Sequence, residues 1–113
     1  MSEAPEGMPR TDPSGSLDGA VTRAVRCVVR GHVQGVGYRY FVARHAQRLQ
    51  VAGWVRNCAD GTVEVVVAAK PSILDEFVGL LQNGHPPARV VEVQHHQTVV
   101  DVATLRGQFD IRG

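Results

Sequence analysis

Apolar residues recur along this chain with two different periods. Val25, Cys27 and Val29 alternate with their neighbours at the period of a half-buried strand, whereas Val42 and Ala46 recur at helical spacing. Applied to the whole chain, the two periods predict five strands and two long helices. The predicted strands span about 24–33, 52–58, 62–69, 89–98 and 109–112, and the predicted helices span about 39–50 and 73–82.

The order of these elements is strand, helix, strand, strand, helix, strand, with one short strand added at the end. In the second predicted helix, Ile73, Phe77 and Leu81 form an apolar stripe that a sheet must cover. Ser72 is a candidate cap for this helix, with Asp75 at the capping-box distance. We therefore predict an α+β domain, a ferredoxin-like α/β sandwich of order βαββαβ plus a short C-terminal strand. Both helices are expected on one face of an antiparallel sheet.

Residues 1–22 differ from the rest of the chain in composition. They combine Pro, Gly, Ser, Asp and Glu without apolar periodicity, which predicts a disordered N-terminal tail followed by one domain at residues 23–113. The tail is acidic and the predicted domain is net basic, which suits an anionic ligand. The basic side chains are scattered and few aromatic residues accompany them, so we expect no nucleic-acid partner.

Several function classes are disfavoured by the composition. The sequence has no apolar run long enough to cross a bilayer and no secretory signal pattern, so we expect a cytoplasmic protein without membrane association. Cys27 and Cys58 are far apart and fit reduced thiols better than a disulfide. His95 and His96 are neighbours on one predicted strand, so they face opposite sides and cannot hold one metal ion together. We expect a monomer with no metal and no cofactor.

A glycine-rich segment joins the first predicted strand to the first helix, and it reads Gly31-His32-Val33-Gln34-Gly35-Val36-Gly37-Tyr38-Arg39. At a helix N-terminus the first N–H groups have no partners within the helix, and the helix dipole is positive. Gly35 and Gly37 let the backbone approach a ligand without Cβ clashes. Arg39 adds a cationic fork that matches two phosphate oxygens. The segment predicts an anion-binding loop, with a merely structural turn as the alternative on turn chemistry alone.

A second motif follows this helix, and it reads Gly53-Trp54-Val55-Arg56-Asn57, then Asp60-Gly61-Thr62-Val63. Asp-Gly between two apolar alternating runs predicts a strand, a tight turn and a return strand, because glycine adopts positive φ readily. We interpret Trp54 as a packing residue.

Together the two motifs resemble those of the acylphosphatase family, which carries a GxVQGVx[FY]R loop and then a GWVxN strand before a DGxV turn. The resemblance extends from about Arg26 to Arg112. It implies hydrolysis of the carboxyl-phosphate bond of acyl phosphates to a carboxylate and inorganic phosphate. It also implies the ferredoxin-like fold and catalytic roles for Arg39 and Asn57. Phosphate is then expected to bind the backbone amides of Gln34, Gly35, Val36, Gly37 and Tyr38.

The two motifs offer little that can transfer a proton. Arg39 is permanently charged and Asn57 is neutral, so neither acts as a general acid or base near neutral pH. A phosphate monoester expels an alkoxide and normally requires an acid or a metal, whereas an acyl phosphate expels a carboxylate whose conjugate acid has a pKa of roughly 4. The residues therefore favour metal-independent, in-line attack of water on an acyl phosphate. In the roles that the resemblance implies, Arg39 holds the phosphate and Asn57 orients the water.

Some alternatives stay open on the sequence alone. The chain can be a non-catalytic ferredoxin-like module that binds an anion or RNA, although such a module has no need of Asn57. It can be related to the acylphosphatase-like domain of the carbamoyl-transfer proteins that mature hydrogenases, or serve a partner through its acidic tail. Asn57 can also cap the hairpin turn instead of orienting water.

Overall fold

Five strands and three helices make up residues 22–113, the part of the chain described by the structure, a computed structural model. The elements are β1 (Arg23–His32), α1 (Tyr38–Leu49), β2 (Ala52–Asn57), β3 (Val63–Ala69), α2 (Pro71–Asn83), β4 (Arg89–Thr98), α3 (Val102–Leu105) and β5 (Phe109–Arg112). Within these residues no helix has both the length and the apolar character required to cross a membrane. The predicted tail, residues 1–22, lies outside the described residues except for Thr22, and the domain boundary at residue 23 stays a prediction.

The strands form one mixed sheet in the order β4-β1-β3-β2-β5. Neighbouring strands pair antiparallel except at one edge, where β5 runs parallel to β2 with Gly53 opposite Phe109 and Arg56 opposite Arg112. The prediction of an antiparallel sheet is therefore wrong for the last strand. Because β4 lies at the opposite edge, the chain crosses the sheet through residues 99–108, and a strand reached by a crossover can run parallel to its neighbour.

The two long helices bury their apolar stripes against one face of the sheet, called here the front face. Phe77 and Leu81 of α2 and Val42 of α1 are fully or almost fully buried there. The strand residues in this core are Cys27, Val29, Val55, Val63, Val65 and Val67. Burial raises the pKa of the Cys27 thiol to about 12, so this cysteine is a neutral core residue at neutral pH.

The opposite face of the sheet, called the back face, has a smaller apolar cover. Ala24, Ala52 and Ala68 pack there with Leu105, which belongs to the segment that crosses the sheet. The alternation in β3 predicts one apolar and one mixed face, yet residues 63–68 are all buried. The crossing segment explains part of this burial, because it covers back-face positions that the sequence pattern leaves open to solvent.

Glu64 is the only charged residue buried among residues 22–113. Arg26 Nε donates to Glu64 Oε2, and Arg56 Nε donates to Glu64 Oε1 at 2.6 Å. Burial by itself raises the pKa of this carboxyl, but hydrogen bonds and positive charge from both arginines outweigh it, so its pKa lies below the ordinary value. The carboxylate thus joins β1, β3 and β2 across the back face.

Helix α2 begins two residues earlier than the capping pattern predicts. Lys70, in extended conformation, is the N-terminal cap, and Pro71 is the first helical residue. The predicted cap by Ser72 is wrong, because Ser72 already lies inside the helix. Proline has a φ suited to the first helical position and lacks an N–H group that would need a partner there. The helix ends at Asn83, as Asn83-Gly84 in the sequence indicates.

We expect Glu64→Gln to lower the free energy of unfolding at neutral pH by about 2 kcal/mol, because a charge-assisted hydrogen bond contributes about 1.5–3 kcal/mol. The pKa of Glu64 is lower in the folded than in the unfolded state, where it has the ordinary value of 4.5. The charge of Glu64 therefore stabilises the fold fully at a pH above 4.5, and this stabilisation is lost as the pH falls through the pKa of the folded state. Urea unfolding of both proteins at neutral pH and at successively lower pH measures the difference. A difference that does not shrink in acid would contradict the role of the charge.

Candidate active site

The predicted anion-binding loop is a sharp turn between β1 and α1. Gly35 has φ 74° and Gly37 has φ 82°, a left-handed conformation that residues with a Cβ adopt only with strain. A Cβ placed on either glycine would meet no described atom within 4 Å, so the space in front of the loop is open. Gly37 caps α1, and no side chain of residues 22–113 caps this helix. The first N–H groups of α1 are therefore available to an anion.

Arg39 lies in the first turn of α1 and is tethered to the last residue of β5. Its Nη1 donates to the backbone carbonyl oxygen of Arg112 at 2.9 Å. The guanidinium has five N–H donors, so this bond leaves four for a ligand. A cation near the positive end of a helix dipole is unfavourable unless an anion lies beside it. The tether thus holds Arg39 where a bound anion would stabilise it.

Asn57 ends β2, opposite Val63 of β3. Its Oδ1 is buried and accepts no hydrogen bond from any described residue. The hairpin turn is capped by Asp60 instead, because the Thr62 N–H and hydroxyl donate to Asp60 Oδ1 at 3.0 and 2.6 Å. The hydroxyl bond and then the N–H bond lower the pKa of Asp60. The turn-capping alternative for Asn57 is therefore wrong, and its side-chain oxygen is available to a ligand.

The loop, the start of α1 and the end of β2 enclose a cavity of about 230 Å³, called here the phosphate cavity. Its lining residues are Val33, Gly35, Gly37, Tyr38, Arg39, Tyr40 and Asn57. The structure thus brings together both predicted catalytic residues and three of the five residues predicted to bind phosphate through their amides. The volume suits a small group rather than a large ligand.

Gln34 and Val36 lie beside the phosphate cavity rather than in its lining. Val36 packs against the front-face core. Gln34 Nε2 donates to the carbonyl oxygens of Cys58 and Thr62 at 2.7 and 2.8 Å. This side chain therefore fastens the loop to the hairpin that carries Asn57. Binding of phosphate by the two backbone amides stays a prediction.

The side chains that line the phosphate cavity are poor proton carriers. Tyr38 is buried, its hydroxyl donates to the Leu81 carbonyl oxygen at 2.9 Å, and burial raises its pKa. Among the described residues of the lining there is no carboxylate, imidazole or thiol. Cys58, next to Asn57 in the chain, is not part of this lining. The cavity can bind and orient, but it offers no ready general base.

Two parts of the site were missed by the sequence analysis. Tyr40 lines the phosphate cavity and is largely exposed, and its place directly after Arg39 was the only signal for it. The Arg112 carbonyl that holds Arg39 belongs to the far end of the chain, and a backbone group carries no sequence signal at all.

Known proteins match both the sequence and the fold. The family profile described as Acylphosphatase matches residues 25–111. The chain belongs to the acylphosphatase family. An acylphosphatase from Treponema denticola is 40% identical over 96 residues, which are 85% of this chain and 97% of that protein. The crystal structure of the acylphosphatase from Bacillus subtilis has a TM-score of 0.72 and 35% identity, covering 82% of this chain and 100% of that one.

Membership of the acylphosphatase family confirms the predicted enzyme class, a hydrolase of acyl phosphates. The fold is also similar to part of a longer protein, full-length HypF in its phosphate- and nucleotide-bound form, with a TM-score of 0.68 and 25% identity. That match covers 82% of this chain but 12% of HypF. The match therefore concerns one small part of HypF, and it shows a shared fold for that part only.

We expect Gln34→Leu to lower kcat for an acyl phosphate by about tenfold, because a displacement of about 1 Å in an active site can cost up to 100-fold. Leucine cannot donate to the hairpin, so Asn57 is no longer fixed relative to the loop. The backbone amide at residue 34 remains, so the inhibition constant of inorganic phosphate should change by less than about twofold. Steady-state kinetics with phosphate as competitive inhibitor measures both constants.

The matched control is Gln82→Leu, which makes the same chemical change at an exposed position of α2. It should leave both constants unchanged. If Gln34→Leu weakened phosphate binding as much as it lowered kcat, the side chain would act on the loop itself and not on the placement of Asn57.

Proposed function

We propose that the phosphate cavity hydrolyses acyl phosphates without a metal ion, with Arg39 and the loop amides binding the phosphoryl group and Asn57 orienting the attacking water. The observation that carries this proposal is the unpaired Oδ1 of Asn57, buried on a wall of the cavity that Arg39 also lines. A buried acceptor without a partner is unfavourable by about 1–3 kcal/mol. A water molecule that donates to Oδ1 removes this penalty and is held at the place where it can attack.

The positive charge of the site is arranged around the phosphoryl group. Backbone N–H groups at the start of α1, the helix dipole and the Arg39 guanidinium all favour an anion at one end of the phosphate cavity. A planar guanidinium can bind two phosphate oxygens at once. Phosphoryl transfer depends mainly on position and on stabilisation of charge, and both are supplied here by groups fixed before the substrate arrives.

The reaction balances without an acid or base from the protein. The water oxygen forms a bond to phosphorus on the side opposite the acyl oxygen. The bond between phosphorus and the acyl oxygen breaks. The carboxylate leaves with the bonding electron pair and needs no proton, because carboxylic acids have a pKa of about 4. The proton of the attacking water passes to a phosphate oxygen or to solvent. The other O–H group of the water donates a hydrogen bond to Asn57 Oδ1, which aims a water lone pair at phosphorus.

The donor set of the phosphate cavity supports metal independence. Catalytic divalent cations are held by carboxylates or imidazoles, and the described lining has neither. Arg39 already supplies the positive charge that a cation would contribute, and a cation beside it would be repelled.

The fold is of the ferredoxin-like type in this proposal. Its support is the order β4-β1-β3-β2 of the first four strands in the sheet, with both long helices on the front face. The small acyl phosphate substrate follows from the family. A monomer in the cytoplasm, acting without nucleic acid or membrane, stays a prediction.

The test is hydrolysis of benzoyl phosphate by the purified chain with a metal chelator present, beside p-nitrophenyl phosphate. We expect turnover of benzoyl phosphate that the chelator does not affect, and no turnover of the monoester. Asn57→Ala should lower kcat by about 100-fold, because the attacking water loses its orientation, while phosphate still competes for the site. Arg39→Ala should weaken phosphate binding and kcat/KM together, by about 100-fold for a charge pair of this kind.

Asn83→Ala is the matched control for Asn57→Ala, because Asn83 is exposed at the end of α2. Asn83→Ala should have the kcat and the phosphate inhibition of the wild type. Near-normal turnover by Asn57→Ala would refute the water-orienting role. Activity that disappears with the chelator and returns with a divalent cation would refute metal independence.

A further inference from the structure

Tyr40 is the largest of the exposed hydrophobic side chains among residues 22–113, and it lines the phosphate cavity. The reaction proposed above gives it no task, because the loop amides and Arg39 bind the phosphoryl group and Asn57 orients the water. Tyr40 is 65% exposed, so most of its surface is open to a ligand. Small-molecule sites commonly use aromatic walls for the apolar part of a ligand. Its place in the cavity therefore makes Tyr40 a candidate contact for the rest of the substrate.

Tyr40 lies on the side of α1 that faces away from the sheet. Tyr38 and Val42 are buried on the opposite side of the helix, which packs on the front face. Each residue advances an α-helix by about 100°, so Tyr40 lies about 200° around the axis from Tyr38. Gln47, seven residues later and at nearly the same angle, is exposed as well. Tyr40 therefore stands on the solvent side of the first turn of α1.

Asn57 lies on the other side of the phosphate cavity, toward the sheet. It is the last residue of β2, two residues after Val55, which packs in the front-face core. Side chains two residues apart on a strand point to the same face, so the Asn57 side chain extends from the front face. A phosphoryl group bound at the N-terminus of α1 consequently has Asn57 on its sheet side and Tyr40 on its solvent side.

The direction of attack then determines where the acyl group lies. In-line displacement requires the attacking and leaving oxygens on opposite sides of phosphorus. Water held by Asn57 attacks from the sheet side, so the acyl oxygen leaves toward the solvent side, where Tyr40 stands. This space is open, because a Cβ on Gly35 or Gly37 would meet no described atom within 4 Å. An acyl group thus has room in front of the loop and one aromatic wall beside it.

We propose that Tyr40 binds the acyl group of the substrate through its ring and favours acyl phosphates with a flat, apolar acyl group, above all an aromatic one. This inference rests on the proposed function of the phosphate cavity. Tyr40 contacts the substrate but takes no part in breaking or forming a bond. The contact exists both before and during the reaction, so it lowers KM and leaves kcat similar.

The test compares benzoyl phosphate with acetyl phosphate, in the wild type and in Tyr40→Ala. The measured quantity is the ratio of the two kcat/KM values, because dividing the variant's ratio by that of the wild type cancels the intrinsic reactivity of each substrate. We expect the ratio to fall about fivefold, the size of one aromatic contact, mainly through a higher KM for benzoyl phosphate. Alanine forms helix more readily than tyrosine, and Tyr40 is largely exposed, so the variant should fold.

Two further variants serve as controls. Tyr40→Phe keeps the ring and should keep the ratio of the wild type. Gln47→Ala truncates a side chain on the same side of α1, outside the lining of the phosphate cavity, and should also keep it. Inorganic phosphate should inhibit Tyr40→Ala with a constant within about twofold of the wild-type value, because Arg39 and the loop amides are unchanged.

Three results would overturn the proposal. One is an unchanged ratio in Tyr40→Ala. Another is a ratio that falls in Tyr40→Phe, because the hydroxyl and not the ring would then make the contact. The third is a phosphate inhibition constant that rises in Tyr40→Ala as much as the KM of benzoyl phosphate, because Tyr40 would then act on the phosphoryl group. Failure of the wild type to hydrolyse either substrate would instead overturn the proposed function.

Discussion

Four residues of β5 pair in parallel with β2, and the direction of this pairing decides which residues lie beside the candidate active site. The register sets Phe109 against Gly53 and Arg112 against Arg56. Phe109 therefore contacts the front-face core, while Arg112 reaches the end of the sheet where β2 terminates at Asn57. An antiparallel β5 would place the other end of the strand there. The hydrogen bond from Arg39 to the Arg112 carbonyl oxygen depends on this strand direction, and so does the stacking of the Arg112 guanidinium on the Trp54 ring.

The residues proposed to act in catalysis and those that hold them come from three parts of the chain, and polar contacts fix these parts to one another. The Gln34 side chain joins the loop to the hairpin, and the Arg39 side chain joins the first turn of α1 to β5. Neither contact uses the unpaired oxygen of Asn57 or the remaining donors of Arg39. Electrostatic catalysis requires donors and acceptors that are in place before charge develops. The site satisfies this requirement with groups whose own partners are backbone carbonyls.

Most elements could be predicted from the sequence, because the valine-rich strands and the stripe of α2 have clear periods. Most residues of the phosphate cavity could be predicted too, since two short motifs contain Arg39 and Asn57, but Tyr40 was not predicted. The direction of β5 could not, because four residues carry no information about which way a strand runs after a crossing. The burial of Glu64 could not be predicted from the apolar periodicity of β3 either. It depends on arginines of β1 and β2 that come together only in the folded sheet. The role of the Gln34 side chain was hidden because its acceptors are backbone atoms.

The proposed phosphate site depends on main-chain geometry as much as on side chains. Gly35 and Gly37 have positive φ, so substitutions there strain the backbone itself. Arg39 is held by the backbone carbonyl oxygen of Arg112, whose side chain is exposed at the edge of the sheet. A change of side chain at Arg112 therefore leaves the acceptor for Arg39 in place, whereas a change at either glycine alters the loop that presents the first N–H groups of α1.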